Sequence, residues 1–115
     1  MAEHLDALTA HVPQLGYTID VGHCLQNGED PAQVLAPRIE RVRNIHMHDG
    51  RAGGGAHYAL GEGELDVDGL LAVLDQAGYA GFITLETLCF PDLLRSLEVL
   101  RAAGVGAIGP LTHAA

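Results

Sequence analysis

Aromatic residues are scarce in this sequence and tryptophan is absent, although 48% of its 115 residues are hydrophobic. A packed core is therefore feasible, but it has to be built mainly from leucine, valine, isoleucine and alanine. A chain of this length is sufficient for one small domain. We therefore expect a single domain over residues 1–115.

Cysteine is also rare, because Cys24 and Cys89 are the only two. Two cysteines do not make a disulfide framework, and the polar, amphipathic amino terminus is unlike a signal peptide. No apolar run approaches the roughly 20 residues that a membrane-spanning helix needs. We therefore expect a soluble cytoplasmic protein without a membrane partner, in which both cysteines are small buried hydrophobic residues.

Basic residues number only six against 15 acidic ones, which gives a formal net charge of −9 with histidine neutral. An acidic surface repels nucleic-acid phosphates, so nucleic acid is an unlikely partner. The loose basic group Arg38, Arg41 and Arg43 is expected at a solvated helix end rather than in a binding stripe.

Helical and strand patterns alternate along the chain. Leu5, Leu8 and Val12 recur at helical spacing and predict a helix over residues 1–13, which Pro13 ends. Short apolar runs predict three strands, at residues 17–21, 42–47 and 82–86.

A helix is predicted after each strand. The start signals are Asp30 with Pro31, then Asp66 or Asp68, and finally Pro91. Three strand–helix units over residues 14–104, with nearly continuous apolar strands, predict an α/β fold with a parallel sheet covered by helices. Residues 105–115 have no periodicity and are expected to form a weakly ordered tail.

A glycine-rich segment connects the second predicted strand to the next helix. Its glycines are Gly50, Gly53, Gly54, Gly55, Gly61 and Gly63. The segment is long for a connection in a compact domain, which makes it a candidate functional loop.

Each predicted strand ends in a polar residue, namely Asp20, His46 or Glu86. The carboxyl ends of parallel strands face one common rim, so these three side chains are expected to converge although they are far apart in sequence. Two carboxylates and one imidazole suit Mn²⁺, Mg²⁺, Co²⁺ or Zn²⁺. The alternative is that each polar residue only caps its strand or hydrogen-bonds a loop.

His46 and His48 are two residues apart at the end of the second strand. We expect the two side chains to serve different faces, with one of them directed at the rim. We interpret His46 as the ligand and His48 as a satisfied, partly buried histidine.

Four segments, IDVGH, IHMHDG, HYALGEGELD and GYAGFITLE, resemble the xylose isomerase-like TIM barrels in their order and approximate spacing. That superfamily includes sugar-phosphate isomerases and epimerases, ketose 3-epimerases, hydroxypyruvate isomerases, inosose dehydratases and the endonuclease IV class. The resemblance covers about residues 16–104 and begins at about the sixth of eight strands. It therefore implies a partial (β/α)₈ TIM barrel, comprising about the last three strands and their helices.

The resemblance implies that Asp20, His46 and Glu86 are metal ligands, and that Glu86 is also the catalytic proton-transfer group. Asp49, three positions after His46, completes the family's spacing at that strand end. One further ligand of the family, a glutamate on an earlier strand, has no counterpart in this sequence.

The resemblance also implies substrate-binding positions. His23 matches the histidine of the family's D-x-x-H motif, which touches substrate or, in the nuclease, a second metal. His57 and Glu62 match the loop that folds over the site, and the nuclease binds another metal through the histidine of that loop.

The function implied is a divalent-metal-dependent sugar or sugar-phosphate isomerase or epimerase that transfers protons through an enediolate. One alternative is an endonuclease IV-like phosphodiesterase on abasic DNA. The acidic composition weighs against it, as does Gly55, which stands where the nuclease has an acidic metal ligand.

The other alternative is a non-catalytic truncated or self-associating partial barrel. Three or four strands cannot close an eight-stranded barrel, so apolar edges would remain exposed. A homo-oligomer is therefore expected.

Overall fold

Helices and strands alternate along the chain, and the computed structural model describes residues 2–105. In chain order, the elements are α1 (Ala2–His11), β1 (Tyr17–Asp20), α2 (Val21–Gln26), α3 (Pro31–Leu35), a 3₁₀ helix (Ala36–Arg41), β2 (Val42–Met47), β3 (Asp49–Gly50), β4 (Ala56–Tyr58), α4 (Val67–Gln76), β5 (Phe82–Leu85) and α5 (Phe90–Ala102). The predicted tail lies almost entirely outside the described residues.

The main sheet has the strand order β1–β2–β5, and both pairings are parallel. This confirms the predicted α/β class. Asp20 lies opposite His46, and His46 lies opposite Thr84, so the register brings the strand ends level with one another. The parallel sheet thus supplies the common rim that the sequence predicts.

One face of the sheet packs against helices and the other is open. The buried residues of the helix-covered core include Ile19, Ile45, Met47, Leu35, Leu70, Leu74 and Leu100. On the opposite face Thr18 and Thr84 are exposed, and Phe82 is 78% exposed. This open face carries the side chains of Asp20 and His46.

Two local structures were not predicted. The chain turns directly from β1 into α2, because the Asp20 side chain accepts a hydrogen bond from the His23 N–H at 2.9 Å and so caps the helix. The glycine-rich segment also contains strands β3 and β4, which pair as a short antiparallel hairpin.

Several local predictions are confirmed and one is wrong. Asp30 and Asp66 both cap helices, whereas Asp68 lies inside the first turn of α4. Cys24 is buried, which raises the pKa of its thiol to about 11, but Cys89 is exposed. Cys89 is the N-cap residue of α5, so it lies at the start of the helix and not in its packed face.

A buried carboxylate organises the glycine-rich segment. Asp49 is fully buried, and its Oδ1 accepts hydrogen bonds from the N–H groups of Gly50 (2.8 Å) and Leu65 (2.9 Å). Its Oδ2 accepts from the Gly61 N–H at 2.9 Å. Asp49 therefore ties the two ends of the segment to each other.

Helix α1 is fastened to the rest of the fold through Asp6. Its carboxylate accepts hydrogen bonds from the Arg38 guanidinium at 2.8 and 2.6 Å and from the Tyr17 hydroxyl at 2.9 Å. Tyr17 also shares a 2.8 Å hydrogen bond with Thr9. These hydrogen bonds from Arg38, and then from Tyr17, hold the pKa of Asp6 below its ordinary value of 3.8.

We predict that Asp6→Asn lowers the free energy of unfolding at neutral pH. Because the pKa of Asp6 is lower in the folded chain, its stabilisation is present above pH 3.8 and is lost as pH falls through the folded pKa. The difference from wild type, measured by urea unfolding, should therefore vanish in acid. Glu98→Gln is the matched control, since Glu98 is an exposed carboxylate on α5. A pH-independent difference would contradict the prediction.

We predict that Asp49→Ala lowers the free energy of unfolding by at least about 3 kcal/mol, because each of three N–H groups left without an acceptor costs roughly 1–3 kcal/mol. The control is Asp66→Ala, which removes a more exposed cap worth about 1 kcal/mol. Chemical denaturation compares the two variants. Equal losses in both would show that Asp49 is no more than an ordinary cap.

Candidate metal centre

Three side chains from neighbouring strand ends meet at the open face of the sheet. They are Asp20 at the end of β1, His46 in β2, and Glu86 directly after β5. His46 Nδ1 lies 3.2 Å from Glu86 Oε1 and 3.8 Å from Asp20 Oδ2. One donor atom from each of the three residues lies within 4.8 Å of the other two.

The chemistry and spacing of this group fit a divalent cation. Ligands about 2.1 Å from one cation are themselves separated by about 3.0 Å in octahedral and about 3.4 Å in tetrahedral geometry. The separations of 3.2 and 3.8 Å from His46 Nδ1 lie close to these values. The three side chains are 23–34% exposed, which leaves room for a further ligand from solvent or substrate. Their role as ligands remains a prediction.

The Asp20 carboxylate is held from two sides. Its Oδ1 accepts from the His23 N–H and lies 2.7 Å from His48 Nε2. Burial acts to raise the pKa of Asp20, but the contacts with His48 and His23 outweigh it, and the net pKa is lowered. Asp20 is therefore an anion at neutral pH, as a metal ligand has to be.

A second group lies beside the first and contains three histidines. The rings of His48 and His57 are stacked, with centroids 4.1 Å apart and planes 9° from parallel. His23 meets both rings edge-on, at 5.2 and 5.0 Å. His57 has a φ of 63°, a left-handed conformation that non-glycine residues rarely adopt and that is common at functional sites.

The interpretation of His48 as a partly buried histidine on a separate face is wrong. His48 is fully buried, and it contacts the same carboxylate that faces His46. The physical reason is that β2 ends at Met47, so the two-residue alternation of a strand does not extend to His48. The sequence feature that could have predicted His48 at this site is the His-x-His pair at a strand end.

Both ring nitrogens of His48 are engaged. Its Nδ1 accepts a hydrogen bond from the His57 N–H at 2.7 Å. Its Nε2 meets Asp20 Oδ1 at close range but off the axis of the N–H, and has no aligned hydrogen bond elsewhere in the described chain. Burial lowers the pKa of His48, but the Asp20 carboxylate, the Asp49 carbonyl and Glu86 together outweigh it, so the net pKa is raised.

His23 Nε2 lies near the candidate metal centre formed by Asp20, His46 and Glu86. The Gln26 side-chain amide donates to the Gly54 carbonyl at 3.0 Å, which turns its Oε1 towards His23 Nδ1, also at 3.0 Å. Nδ1 is then the protonated nitrogen. Nε2, which lies 3.8 Å from Asp20 Oδ2, is left with a lone pair.

The two predicted loop residues occupy different places. His57 is half-buried in β4, and its Nδ1 lies 3.4 Å from the Glu86 carbonyl oxygen, at the edge of the centre. The Glu62 carboxylate instead pairs with Arg95 on α5 at 2.8 Å. Arg95 also pairs with Asp92, and Glu62 belongs to neither group of side chains.

Across residues 2–105, every helix is too short or too polar to cross a membrane.

Comparisons with known proteins agree with this architecture. The "Inosose dehydratase" of Clostridium perfringens is 28% identical over 96 residues, which are 69% of this chain and 32% of that protein. The uncharacterized protein MJ1311 of Methanocaldococcus jannaschii is 32% identical over 94 residues, covering 76% of this chain and 30% of that protein. The chain thus spans about a third of the length of these relatives.

Solved structures give the same result. A D-tagatose 3-epimerase-like protein matches with a TM-score of 0.69 and 28% identity, over 77% of this chain and 34% of that one. A xylose isomerase domain protein from Planctomyces limnophilus matches with a TM-score of 0.73 and 27% identity, over 89% of this chain and 43% of that one. The family model of the xylose isomerase-like TIM barrel matches residues 1–103, and the chain belongs to that family.

Proposed function

We propose that this chain carries the metal centre of a cytoplasmic isomerase or epimerase that acts on a sugar or sugar phosphate. The observation that carries the proposal is the convergence of Asp20, His46 and Glu86, whose donor atoms lie within 4.8 Å of one another. The names of the relatives, an inosose dehydratase and a D-tagatose 3-epimerase-like protein, support a polyhydroxylated carbonyl substrate.

In this proposal Asp20, His46 and Glu86 hold Mn²⁺, Mg²⁺, Co²⁺ or Zn²⁺. When bound, the cation polarises the substrate carbonyl and makes the neighbouring C–H more acidic. Glu86 would accept that proton and, in an isomerase, return it to the adjacent carbon while a hydroxyl proton moves to the former carbonyl oxygen. An epimerase would need a second acid to protonate the opposite face of the same carbon, and the family's further glutamate has no counterpart in this sequence. Glu86 Oε1 lies 3.2 Å from His46 Nδ1 and the side chain is 34% exposed, which would leave its second oxygen for the substrate.

The neighbouring histidines would orient the substrate. His23 Nε2 carries a lone pair towards the centre and can accept a hydrogen bond from a substrate hydroxyl. His57 lies at the edge of the centre on the β3–β4 hairpin, where it would cover the bound substrate. Glu62 would need to leave Arg95 before it could contact a ligand, so we assign it to the rim.

A dehydratase is the second candidate, and the names of the matching relatives favour it. Both reactions begin with removal of a proton next to a carbonyl. They diverge when the dehydratase expels a hydroxyl group from the neighbouring carbon. Product mass distinguishes them, because only dehydration lowers it by one water.

We predict that the purified chain binds one divalent cation per centre and that an Asp20→Ala, Glu86→Ala double variant binds none. Elemental analysis after dialysis against Mn²⁺, Co²⁺ or Zn²⁺ measures the number of metal ions bound per chain. The double variant loses two of three protein ligands and both negative charges of the centre. A wild-type chain free of all three metals would overturn the metal assignment.

We further predict that the metal-loaded chain exchanges the C–H proton next to the carbonyl of a ketose for deuterium in D₂O, as followed by NMR. Glu86→Gln should slow this exchange by about 10²-fold or more, since proton transfer by a positioned group contributes roughly 10²–10⁴-fold. Glu98→Gln should leave it unchanged. Exchange that is equally fast in Glu86→Gln would contradict the role of Glu86, and cation binding without exchange would contradict proton transfer by this chain.

We also propose that a second copy of the chain packs against the β5 edge of the sheet and leaves the candidate metal centre accessible. Strands β1 and β5 are the edges of the described sheet, and the large apolar side chains of Phe82, Leu88 and Phe90 are 78%, 81% and 68% exposed. Unpaired strand edges and exposed apolar side chains favour association.

We predict a dimer or larger species in sedimentation experiments. Phe82→Ser should weaken association at least about tenfold, the effect of about 1.4 kcal/mol, because it removes an exposed aromatic ring from the open face. Leu8→Ser is the control, since Leu8 is 52% exposed and belongs to helix α1 instead of the sheet. A wild-type chain that is monomeric at all concentrations would refute the proposal.

A further inference from the structure

We infer that His48 is a positioning residue, which holds the Asp20 carboxylate and the β3–β4 hairpin in one fixed arrangement. The inference rests on the proposed function, because it treats Asp20 as a metal ligand. This role differs from that of the three predicted ligands, Asp20, His46 and Glu86. Strand periodicity does not predict it either.

The two ring nitrogens of His48 contact two different parts of the site. Nδ1 accepts the backbone N–H of His57 at 2.7 Å, which requires a lone pair at Nδ1. In the neutral ring the proton is then on Nε2, which lies 2.7 Å from Asp20 Oδ1. A single imidazole thus joins the carboxylate at the end of β1 to the backbone of β4.

Close packing fixes the orientation of the His48 ring. The ring is fully buried and stacks on His57. It also lies against the backbone of Gly22, where an added Cβ would be only 1.9 Å from Nδ1 and 2.1 Å from Cε1. Glycine at position 22 is therefore required for the ring to occupy this position.

The same geometry argues against the three histidines as a second cation site. The lone pairs of an imidazole lie in the plane of the ring. Because the rings of His48 and His57 are stacked and nearly parallel, their lone pairs run side by side and do not converge on one ion. Both nitrogens of His48 are also already engaged, so a role as a ligand would break one of its two contacts.

Holding Oδ1 of Asp20 determines which oxygen is presented to the metal. His48 and the His23 N–H both contact Oδ1, whereas Oδ2 faces His46 Nδ1 at 3.8 Å. Without His48 the carboxylate loses one of these two restraints. Loss of such an outer partner commonly lowers metal affinity by roughly 10–100-fold.

Two substitutions of His48 separate the two contacts. His48→Gln keeps a donor near the position of Nε2, and His48→Asn keeps an acceptor near the position of Nδ1. We expect Mn²⁺ affinity, measured by titration calorimetry, to fall by about 10-fold or more in His48→Asn and to stay within about 3-fold of wild type in His48→Gln. Urea unfolding is measured in parallel, and His11→Asn is the control on exposed α1.

Gly22→Ala provides a second variant that leaves every histidine and carboxylate in place. It should displace the His48 ring and lower Mn²⁺ affinity as far as His48→Asn does. The visible spectrum of bound Co²⁺ should change in both variants. Two outcomes would overturn the inference: unchanged affinity and spectrum in both variants despite lost stability, or a second Mn²⁺ per chain that disappears in His48→Asn.

The metal-free chain keeps the test independent of the proposed function. Nitrogen NMR of the neutral His48 ring should show the proton on Nε2, and exchange of the His57 amide should be slow in wild type and faster in His48→Gln. If wild type binds no cation, the proposed metal site fails, while these signals still decide whether His48 links the two elements. A proton on Nδ1 would overturn the link.

Discussion

The contacts of one carboxylate, Asp20, underlie both the local fold and the candidate chemistry. Its Oδ1 caps α2 through the His23 N–H and contacts His48, while its Oδ2 faces His46. The cap turns the chain away from β1 immediately after the strand, and this turn brings His23 beside the strand ends. The residue that would bind a cation is therefore also the residue that shapes the backbone around it. Any substitution of Asp20 changes structure and ligand set together, so partners such as His48 give cleaner information about the site.

A second carboxylate, Asp49, has the opposite surroundings and a different role. It is fully buried, and backbone N–H groups donate to both of its oxygens, so it is not exposed to a ligand at the open face. It closes the glycine-rich segment, and His57 lies within the segment that it closes. Asp20 and Asp49 therefore have different roles. Asp20 is partly exposed beside His46, whereas Asp49 holds the glycine-rich segment that carries His57.

The sequence predicted those features of the fold that are determined by residues close together in the chain. Strand ends and the helix caps Asp30 and Asp66 follow from neighbouring residues, and the parallel order follows from the alternation of elements. The sequence did not predict features that depend on contacts between distant residues or on where a strand ends. The β3–β4 hairpin depends on Asp49 reaching residues 12 and 16 positions away, and the burial of His48 depends on where β2 stops. Leu8 has the helical spacing of a core residue, yet it is 52% exposed. Spacing shows which residues share one face of a helix but not whether another element covers that face.

The unequal surroundings of the two cysteines give the chain a single chemically addressable thiol. Cys24 is buried with a pKa of about 11, so it is almost wholly protonated at neutral pH and shielded from reagents. Cys89 is exposed at the start of α5, three residues after Glu86. A maleimide dye would consequently label one position only, close to the end of β5, without any engineered substitution. Its fluorescence would report on whatever approaches that rim, including a paramagnetic ion that quenches the dye at short range.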